Sequence, residues 1–199
     1  MWAGSKLNFS QPIAAGADAK RVSRIASVSQ KQGKSGELVF VSVEHQIFAN
    51  EQLAITEEQN IVYREAAGKT TTISGKPAPV AADIQKQITP DPLLLFRYSA
   101  LTFNAHRIHY DRPYAMDTEG YPGLVVHGPL LATYLVSLLQ EHYPQRELAE
   151  FEFRAVKPVF DLAPFTLAGT APDKEGQSSL WVADSEGYLC MQATAKLRA

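Results

Sequence analysis

The segment from Gly123 to Leu139, GLVVHGPLLATYLVSLL, constrains the fold of this chain more than any other. Proline suits the first helical position, because its missing N–H would be unpaired there, and glycine is tolerated at the cap before it. We therefore predict a helix at about 129–142 with Gly128 as its N-cap. Its apolar residues surround the helix axis and do not form one stripe, which is typical of a helix buried on nearly all sides.

The start of this helix has a chemical use. The positive end of the helix dipole and the free amides of the first turn favour a negative oxygen there. Pro129 has no N–H, so the amide of Gly128, unshielded by any side chain, is the natural donor. We predict that this amide can hold an oxyanion.

The first third of the chain predicts an antiparallel meander. The segments 17–30, 37–49 and 52–63 alternate apolar and polar residues, and Gly33–Gly36 and Ala49–Glu51 are short enough for hairpin turns. We expect no helix in this part of the chain. Its apolar residues should therefore form one face of a sheet.

The strand pattern returns after the long helix. Residues 150–171 alternate, break at Pro158 and resume, and the segments 178–184 and 187–197 close the sheet. The stretches LNFSQPIAAGADAKRVSRI and FEFRAVKPVFDLAPFTLAG each have a phenylalanine, a proline and a short apolar run before a long strand. This pattern indicates a degenerate internal repeat in which only the second copy carries the helix.

An antiparallel sheet wrapped around one long buried helix is the α+β hotdog fold. We predict a double hotdog whose first copy is incomplete. Residues 1–65 form a partial N-terminal hotdog without a helix, residues 66–90 a linker, and residues 91–199 a complete hotdog that carries the active site. In the last of these, Leu93 to Phe96 is predicted to be a short buried strand, with Ser99 as a candidate cap for a turn of helix.

A hotdog half without its helix leaves an apolar sheet face uncovered. The second hotdog covers this face, another subunit does, or the chain lacks an N-terminal portion that its relatives possess. We expect a homo-oligomer, with a dimer as the simplest form.

Composition excludes several classes of protein. The 19 basic and 21 acidic residues give a net charge of −2, and without a run of basic residues we expect no nucleic-acid or membrane partner. The single Cys190 excludes an internal disulfide and fits a reducing compartment. Residues 123–139 are interrupted and too short to span a bilayer comfortably, and no signal peptide is visible. These features predict a cytoplasmic protein.

Polar chemistry is concentrated just before the long helix, in FNAHRIHYD. This stretch contains the amide of Asn104, the imidazoles of His106 and His109, and the carboxylate of Asp111. A histidine in an apolar neighbourhood is more often a hydrogen-bonded core residue than a catalyst, and His106 and Asp111 are better candidates for structural roles. A metal site made of both histidines and Asp111 lacks a fourth ligand at a persuasive spacing, so we predict no metal.

The segments FNAHRIHYDRPYA and EGYPGLVVHGPLLA resemble the MaoC-like hydratase/dehydratase family of hotdog enzymes. The likeness is to the branch of mesaconyl- and itaconyl-coenzyme A hydratases and type 2 hydroxyacyl-thioester dehydratases. The family signature is Asp-x-Asn-Pro-x-His, followed by a His-Gly pair at the head of the helix. Asn104 stands at the aspartate position and His109 at the catalytic histidine position. His127 and Gly128 match the His-Gly pair.

The resemblance implies reversible hydration of an enoyl thioester, or dehydration of a 3-hydroxyacyl thioester, carried by coenzyme A or acyl carrier protein. No cofactor is expected. The reaction needs a base, an acid and a donor for the thioester oxygen. We assign His109 as general acid/base, because imidazole titrates near neutrality. Asn104 is expected to orient the water, and the N–H of Gly128 to polarise the thioester carbonyl.

The sequence departs from the signature at three positions: Asn104 replaces the aspartate, His106 the asparagine and Arg107 the proline. Asparagine cannot take up a proton, and the resemblance implies that it is the usual residue at this position in the branch named above. We predict Arg107, His127 and Gly128 as substrate-binding residues. Arg107 or Arg112 would meet the second carboxylate of a mesaconyl or itaconyl substrate, although arginines more often form salt bridges, and His127 would otherwise only pack behind the helix start.

Two other functions stay open at this point. An incomplete first hotdog favours a non-catalytic protein that binds acyl thioesters or stabilises a subunit. A hotdog thioesterase is less favoured, because it needs a carboxylate or its equivalent to activate water, and the motif offers an amide at that position.

Overall fold

The computed structural model describes residues 2–33, 36–64 and 75–198. In chain order the elements are β1 (Trp2–Phe9), β2 (Ala19–Gly33), β3 (Gly36–Ala49), β4 (Gln52–Arg64), β5 (Ile84–Ile88), α1 (Pro92–Thr102), α2 (Gly128–His142), β6 (Glu147–Ala155), β7 (Phe165–Gly169), β8 (Gln177–Ala183) and β9 (Leu189–Arg198). A 3-10 turn, Arg107–His109, and a π-helical turn, Tyr114–Thr118, lie between α1 and α2.

The nine strands of the described residues form one antiparallel sheet in the order β2-β3-β4-β1-β6-β9-β8-β7-β5. Outward from the β1–β6 pair, the strands follow in the order β1, β4, β3, β2 on one side and β6, β9, β8, β7 on the other. If β1 to β4 correspond to β6 to β9, the two halves therefore have the same strand order. In that pair Ser5 lies opposite Phe153 and Leu7 opposite Phe151. The strand order thus supports the internal repeat, with β5 added at one edge.

The hairpins of the N-terminal half form where the sequence predicts turns. Gly33 pairs with Gly36, and Ala49 with Gln52. Asn50 and Glu51 both have positive φ, 47° and 66°. Positive φ at both positions is what a two-residue type I′ turn requires, and the twist of this turn matches that of the strands. The predicted meander is confirmed, and no helix lies among the described residues up to residue 64.

Helix α2 is the centre of the core. Six of its side chains are buried against the strands of the C-terminal half: Leu130, Leu131, Ala132, Leu135, Leu138 and Leu139. The predicted α+β hotdog arrangement of a sheet around a buried helix is confirmed. The predicted N-cap is wrong by one residue, because the cap is His127, in extended conformation, and Gly128 is the first helical residue.

The prediction of a strand at Leu93–Phe96 is wrong, because these residues lie in α1. The side chain of Asp91 caps this helix by accepting a hydrogen bond from the N–H of Leu94 at 2.9 Å, and Pro92 occupies its first turn. Ser99 is therefore not a cap. It is buried inside the helix.

The prediction of a linker at residues 66–90 is wrong for Ile84–Ile88, which form edge strand β5. Lys86 lies between Ile84 and Ile88 on the same face of the strand, and its ammonium pairs with Glu141 of α2 at 2.8 Å. A charge on an edge strand is a common protection against unwanted strand pairing. The part of the predicted linker at residues 66–74 lies outside the described residues, and the division into 1–65, 66–90 and 91–199 stays a prediction.

None of the described helices is long and apolar enough to cross a membrane.

Candidate active site

His109 ends the 3-10 turn that follows α1, and it is buried, with 8% of its surface exposed. Its Nδ1–H donates to the carbonyl oxygen of Val125 at 2.7 Å. Because a carbonyl oxygen only accepts, the neutral ring has its proton on Nδ1, and Nε2 carries the lone pair. The ring is thus held in the tautomer in which Nε2 is the basic nitrogen.

The strand-like segment around Val125 is fixed by hydrogen bonds on both sides. The N–H of Val126 donates to the carbonyl of Val159 at 2.8 Å, and the N–H of Val125 to that of Ile108 at 3.0 Å. Asp161, whose side chain is completely buried, accepts from the N–H of Leu124 at 2.9 Å. The carboxylate also accepts two hydrogen bonds from Arg112. The Val125 carbonyl, which accepts from His109, therefore lies in a segment that hydrogen bonds hold in place.

We expect Asp161→Asn to lower the free energy of unfolding by about 2 kcal/mol, because a hydrogen bond to a charged group is replaced by a neutral one while Arg112 stays in place. Equilibrium urea denaturation measures this change. The control is Glu141→Gln, which removes the charge of an ion pair whose side chains are 46% and 51% exposed and should cost less than about 1 kcal/mol. Equal losses in the two variants would contradict the role of Asp161.

His127 caps α2 and packs directly against His109. The two rings stack with centroids 3.7 Å apart and planes inclined by 16°. Nε2 of His127 is hydrogen-bonded to the hydroxyl of Ser99 at 2.8 Å, and its buried Nδ1 has no partner among the described residues. His127 is fully buried and Ser99 nearly so. His127, held by Ser99, thus covers one face of the His109 ring.

Both rings are held neutral. Burial lowers the pKa of His109 to about 4; the hydrogen bond to Val125 opposes this shift, and the nearby His106 adds to it. Burial also lowers the pKa of His127 to about 3, together with its two histidine neighbours. At neutral pH the lone pair on Nε2 of His109 is therefore available to accept a proton.

The two lowered pKa values make the stability of the fold depend on pH. In the unfolded chain both rings take up a proton as the pH falls below about 6.5, while the folded protein keeps them neutral down to about pH 4. The unfolded state then binds more protons, so the free energy of unfolding decreases as the pH falls. The slope approaches about 1.4 kcal/mol per pH unit for each ring.

Urea denaturation between pH 7 and pH 4.5 measures this slope. His109→Gln removes one titrating ring and should make the curve about half as steep. A wild-type free energy of unfolding that did not change over this range would contradict the neutral state of the pair.

Asn104 follows α1 directly. Phe103 ends that helix with a positive φ of 53°, and the N–H of Asn104 donates to the carbonyl of Ser99 at 2.9 Å. The side-chain oxygen Oδ1 of Asn104 accepts from the N–H of His106 at 3.0 Å. Asn104 is thus linked to the histidines through the backbone of His106, and its amide nitrogen is the part left for another ligand.

Gly128 is at the start of α2, next to His127. As the first helical residue it has an N–H without a partner inside the helix. A Cβ built on Gly128 would meet no atom within 4 Å, so there is open space on that side of the backbone. The shift of the cap by one residue leaves Gly128 as a donor at the positive end of the helix.

Arg107 lies along the protein surface, with its side chain 55% exposed. Its Nε and Nη2 donate to Asp111 at 3.0 and 2.7 Å, and the guanidinium lies 4.1 Å from the ring centroid of Tyr114. The hydrogen bond from Arg107 lowers the pKa of Asp111. Arg107 and Asp111 thus have structural partners, and no group of three metal-ligating side chains occurs among the described residues.

The structure therefore joins His106, His109 and His127 by ring contacts, since the His106 and His109 centroids are 5.6 Å apart at 87°. Sequence reasoning missed two partners of this cluster. The sequence predicts Ser99 as a helix cap, although a hydroxyl among apolar residues also indicates a buried hydrogen-bond partner. The carbonyl of Val125 has no signal in the sequence, because every residue carries one.

Comparison with known proteins shows the family of this chain. The family model described as hydroxyacyl-thioester dehydratase type 2 matches residues 1–161. The chain is 46% identical over 99% of its length to mesaconyl-C(4)-CoA hydratase of Chloroflexus aurantiacus, covering 70% of that protein. It is 36% identical over 70% of its length to the mitochondrial hydroxyacyl-thioester dehydratase type 2 of Schizosaccharomyces pombe, covering 45% of it.

A solved structure supports the fold. The MaoC-like dehydratase from Phytophthora capsici matches 100% of this chain and 71% of its own chain, with a TM-score of 0.77 at 13% identity. Since the family model matches residues 1–161 and a relative is 46% identical over 99% of this chain, the predicted family resemblance is confirmed. The chain belongs to the hydroxyacyl-thioester dehydratase type 2 family.

Proposed function

We propose that this protein is a hydro-lyase that catalyses the reversible hydration of an enoyl thioester to a 3-hydroxyacyl thioester. The observation that carries the proposal is the state of His109. It is buried and neutral, with Nδ1 held by the Val125 carbonyl, so that Nε2 is a base. The names of its relatives, a mesaconyl-C(4)-CoA hydratase and a hydroxyacyl-thioester dehydratase, support the same chemistry.

In the proposed reaction, Nε2 of His109 takes a proton from water as the water oxygen bonds to C3 of the enoyl group. The electrons of the C2–C3 double bond move toward the thioester carbonyl, whose oxygen becomes negative. The free N–H of Gly128 at the positive end of α2 stabilises that oxygen. A proton then adds to C2, and dehydration follows the same steps in reverse. A neutral imidazole is the form that can begin this sequence.

Other residues of the site are proposed to position the reactants. The amide nitrogen of Asn104 donates to the attacking water, since its Oδ1 is occupied by the N–H of His106. Arg107 contacts the carboxylate of a dicarboxylic acyl group through the edge of its guanidinium that Asp111 does not occupy. His127 supports the ring of His109 from below.

The test is an assay with crotonyl-coenzyme A and with mesaconyl-C4-coenzyme A as two substrates, and crotonyl-acyl carrier protein as a third. Loss of the enoyl absorbance with the thioester intact is the expected result, and the preferred substrate identifies the acyl group and the carrier. Release of free thiol without hydration would replace the proposal by a thioesterase. No change in any of the three would overturn the proposed activity.

We further propose that two copies of the chain associate. The support is the edge strand β2, where Ile25 and Val28 are 66% and 63% exposed. Exposed apolar residues in a row on one strand favour burial by a partner. Light scattering coupled to gel filtration should give twice the mass of one chain, and the mass of a single chain would contradict the pairing.

A further inference from the structure

We propose that His106 is a second proton-transfer residue of this site and delivers the proton to C2 while His109 takes one from water. This inference rests on the proposed hydration. The hydration moves two protons, one off the water and one onto carbon. Asn104 cannot supply the second one, because a carboxamide does not titrate.

The other titratable side chains of the FNAHRIHYD motif are engaged elsewhere. Asp111 accepts two hydrogen bonds from Arg107. The hydroxyl of Tyr110 donates to the carbonyl of Ala105 at 2.9 Å. The His106 ring forms no side-chain hydrogen bond with the described residues, and it is exposed. It is thus the imidazole of the motif that has no side-chain hydrogen bond among the described residues and that is open to solvent.

The backbone of His106 is fixed although its ring is free. Its N–H is held by Oδ1 of Asn104 at 3.0 Å, and its carbonyl accepts from the N–H of His109 at 3.2 Å. The ring therefore stays beside His109, with centroids 5.6 Å apart and planes at 87°. Reacting atoms need to lie about 3–3.5 Å from the groups that act on them. C2 and C3 are bonded to each other, so the groups that act on them must be neighbours, as these two rings are.

The proton balance closes over one turnover. Protonated His106 loses its proton to C2 and becomes neutral, and neutral His109 gains one from water and becomes positive. A proton passing from His109 to His106, directly or through one water, restores both rings. The exposed position of His106 also lets it exchange protons with solvent, which the buried His109 and His127 cannot do directly.

This arrangement gives Asn104 an additional role. By holding the N–H of His106, its carboxamide fixes where the second proton carrier stands. Asparagine at this position, in place of the aspartate of the general signature, is then paired with the histidine two residues later.

The experiment measures hydration of the substrate that wild-type protein turns over, with the variants His106→Ala and His142→Ala. His142 is also an exposed histidine, but at the far end of α2, about 20 Å from the start of that helix. We expect His106→Ala to lower kcat by about 10²-fold with KM nearly unchanged, the lower end of what general acid–base catalysis contributes. Adding imidazole to His106→Ala should restore at least a tenth of the lost rate, and His142→Ala should behave as wild type.

Rescue by added imidazole distinguishes proton transfer by His106 from a structural role of this residue. A His106→Ala variant that lost activity without rescue by imidazole, or with a lowered melting temperature, would overturn the inference. Wild-type rates in His106→Ala would overturn it as well and leave the proposed hydration intact. If wild-type protein hydrated none of the three thioesters, the proposed function and this inference would fall together.

Discussion

Replacing His109 with glutamine should lower the rate of thioester hydration by about 10³–10⁴-fold, the upper range of general acid–base catalysis. The glutamine amide still donates to the Val125 carbonyl, but it has no nitrogen that accepts a proton at neutral pH. The reaction then loses its base, while binding of the thioester should change little. Measured kcat and KM should therefore show the loss almost entirely in kcat.

His142→Gln is the matched control for this variant, since it makes the same exchange at an exposed site whose Nδ1 donates to the carbonyl of Leu138. The melting temperature of His109→Gln should fall only by a few degrees, because glutamine keeps a donor to the Val125 carbonyl and loses the stacking of the ring on His127. Wild-type activity in a folded His109→Gln protein would exclude His109 as the base.

Gly128→Pro should lower kcat by about 10²–10³-fold, the effect of removing one donor to a developing oxyanion. Proline at the first helical position removes the N–H at little cost to the helix, because that N–H has no helical partner. The preceding residue, His127, already has the extended conformation, with ψ of 130°, that a following proline requires. A Cβ at position 128 also disfavours the helical conformation before Pro129, a cost that proline and alanine share, so the comparison with Gly128→Ala isolates the donor.

Gly128→Ala is the control, because alanine keeps the N–H and its Cβ would meet no atom within 4 Å. This variant should retain wild-type kcat within a few-fold, and thermal denaturation should show that both variants keep the fold. Equal losses of activity in Gly128→Pro and Gly128→Ala would mean that space, and not the donor, matters at this position.

The parts of the structure that rest on local patterns could be predicted. The alternating strands, the hairpin at Ala49–Gln52 and the buried helix after Gly128 follow from periodicity and turn residues. Two elements could not be assigned by the same method. The run Leu93–Phe96 is equally typical of a buried strand, and only the Asp91–Pro92 start indicates a helix. Lys86 interrupts the apolar face of β5, so the sequence pattern does not indicate a strand there. The residue that pairs with Lys86 is Glu141, which lies on another element.

The candidate site shows the same division. His109 and Gly128 could be proposed from the sequence, because the imidazole and the bare amide are evident in their own residue types and in the motif around them. Their catalytic roles stay predictions. The contacts that hold them come from distant positions. Ser99 meets His127 across 28 residues, and Asp161 meets Leu124 across 37. No spacing rule relates such pairs, since the tertiary fold alone brings them together.

The hydrogen bond from His109 to the Val125 carbonyl has a consequence for how such a site tolerates mutation. An orienting aspartate or glutamate can be lost through one nucleotide change, and the histidine tautomer is lost with it. A peptide oxygen is present whatever residue occupies position 125, so substitutions there leave the acceptor in place. The protonation state of the reactive nitrogen is therefore inherited with the path of the main chain, and it should persist through sequence drift that would inactivate a side-chain dyad.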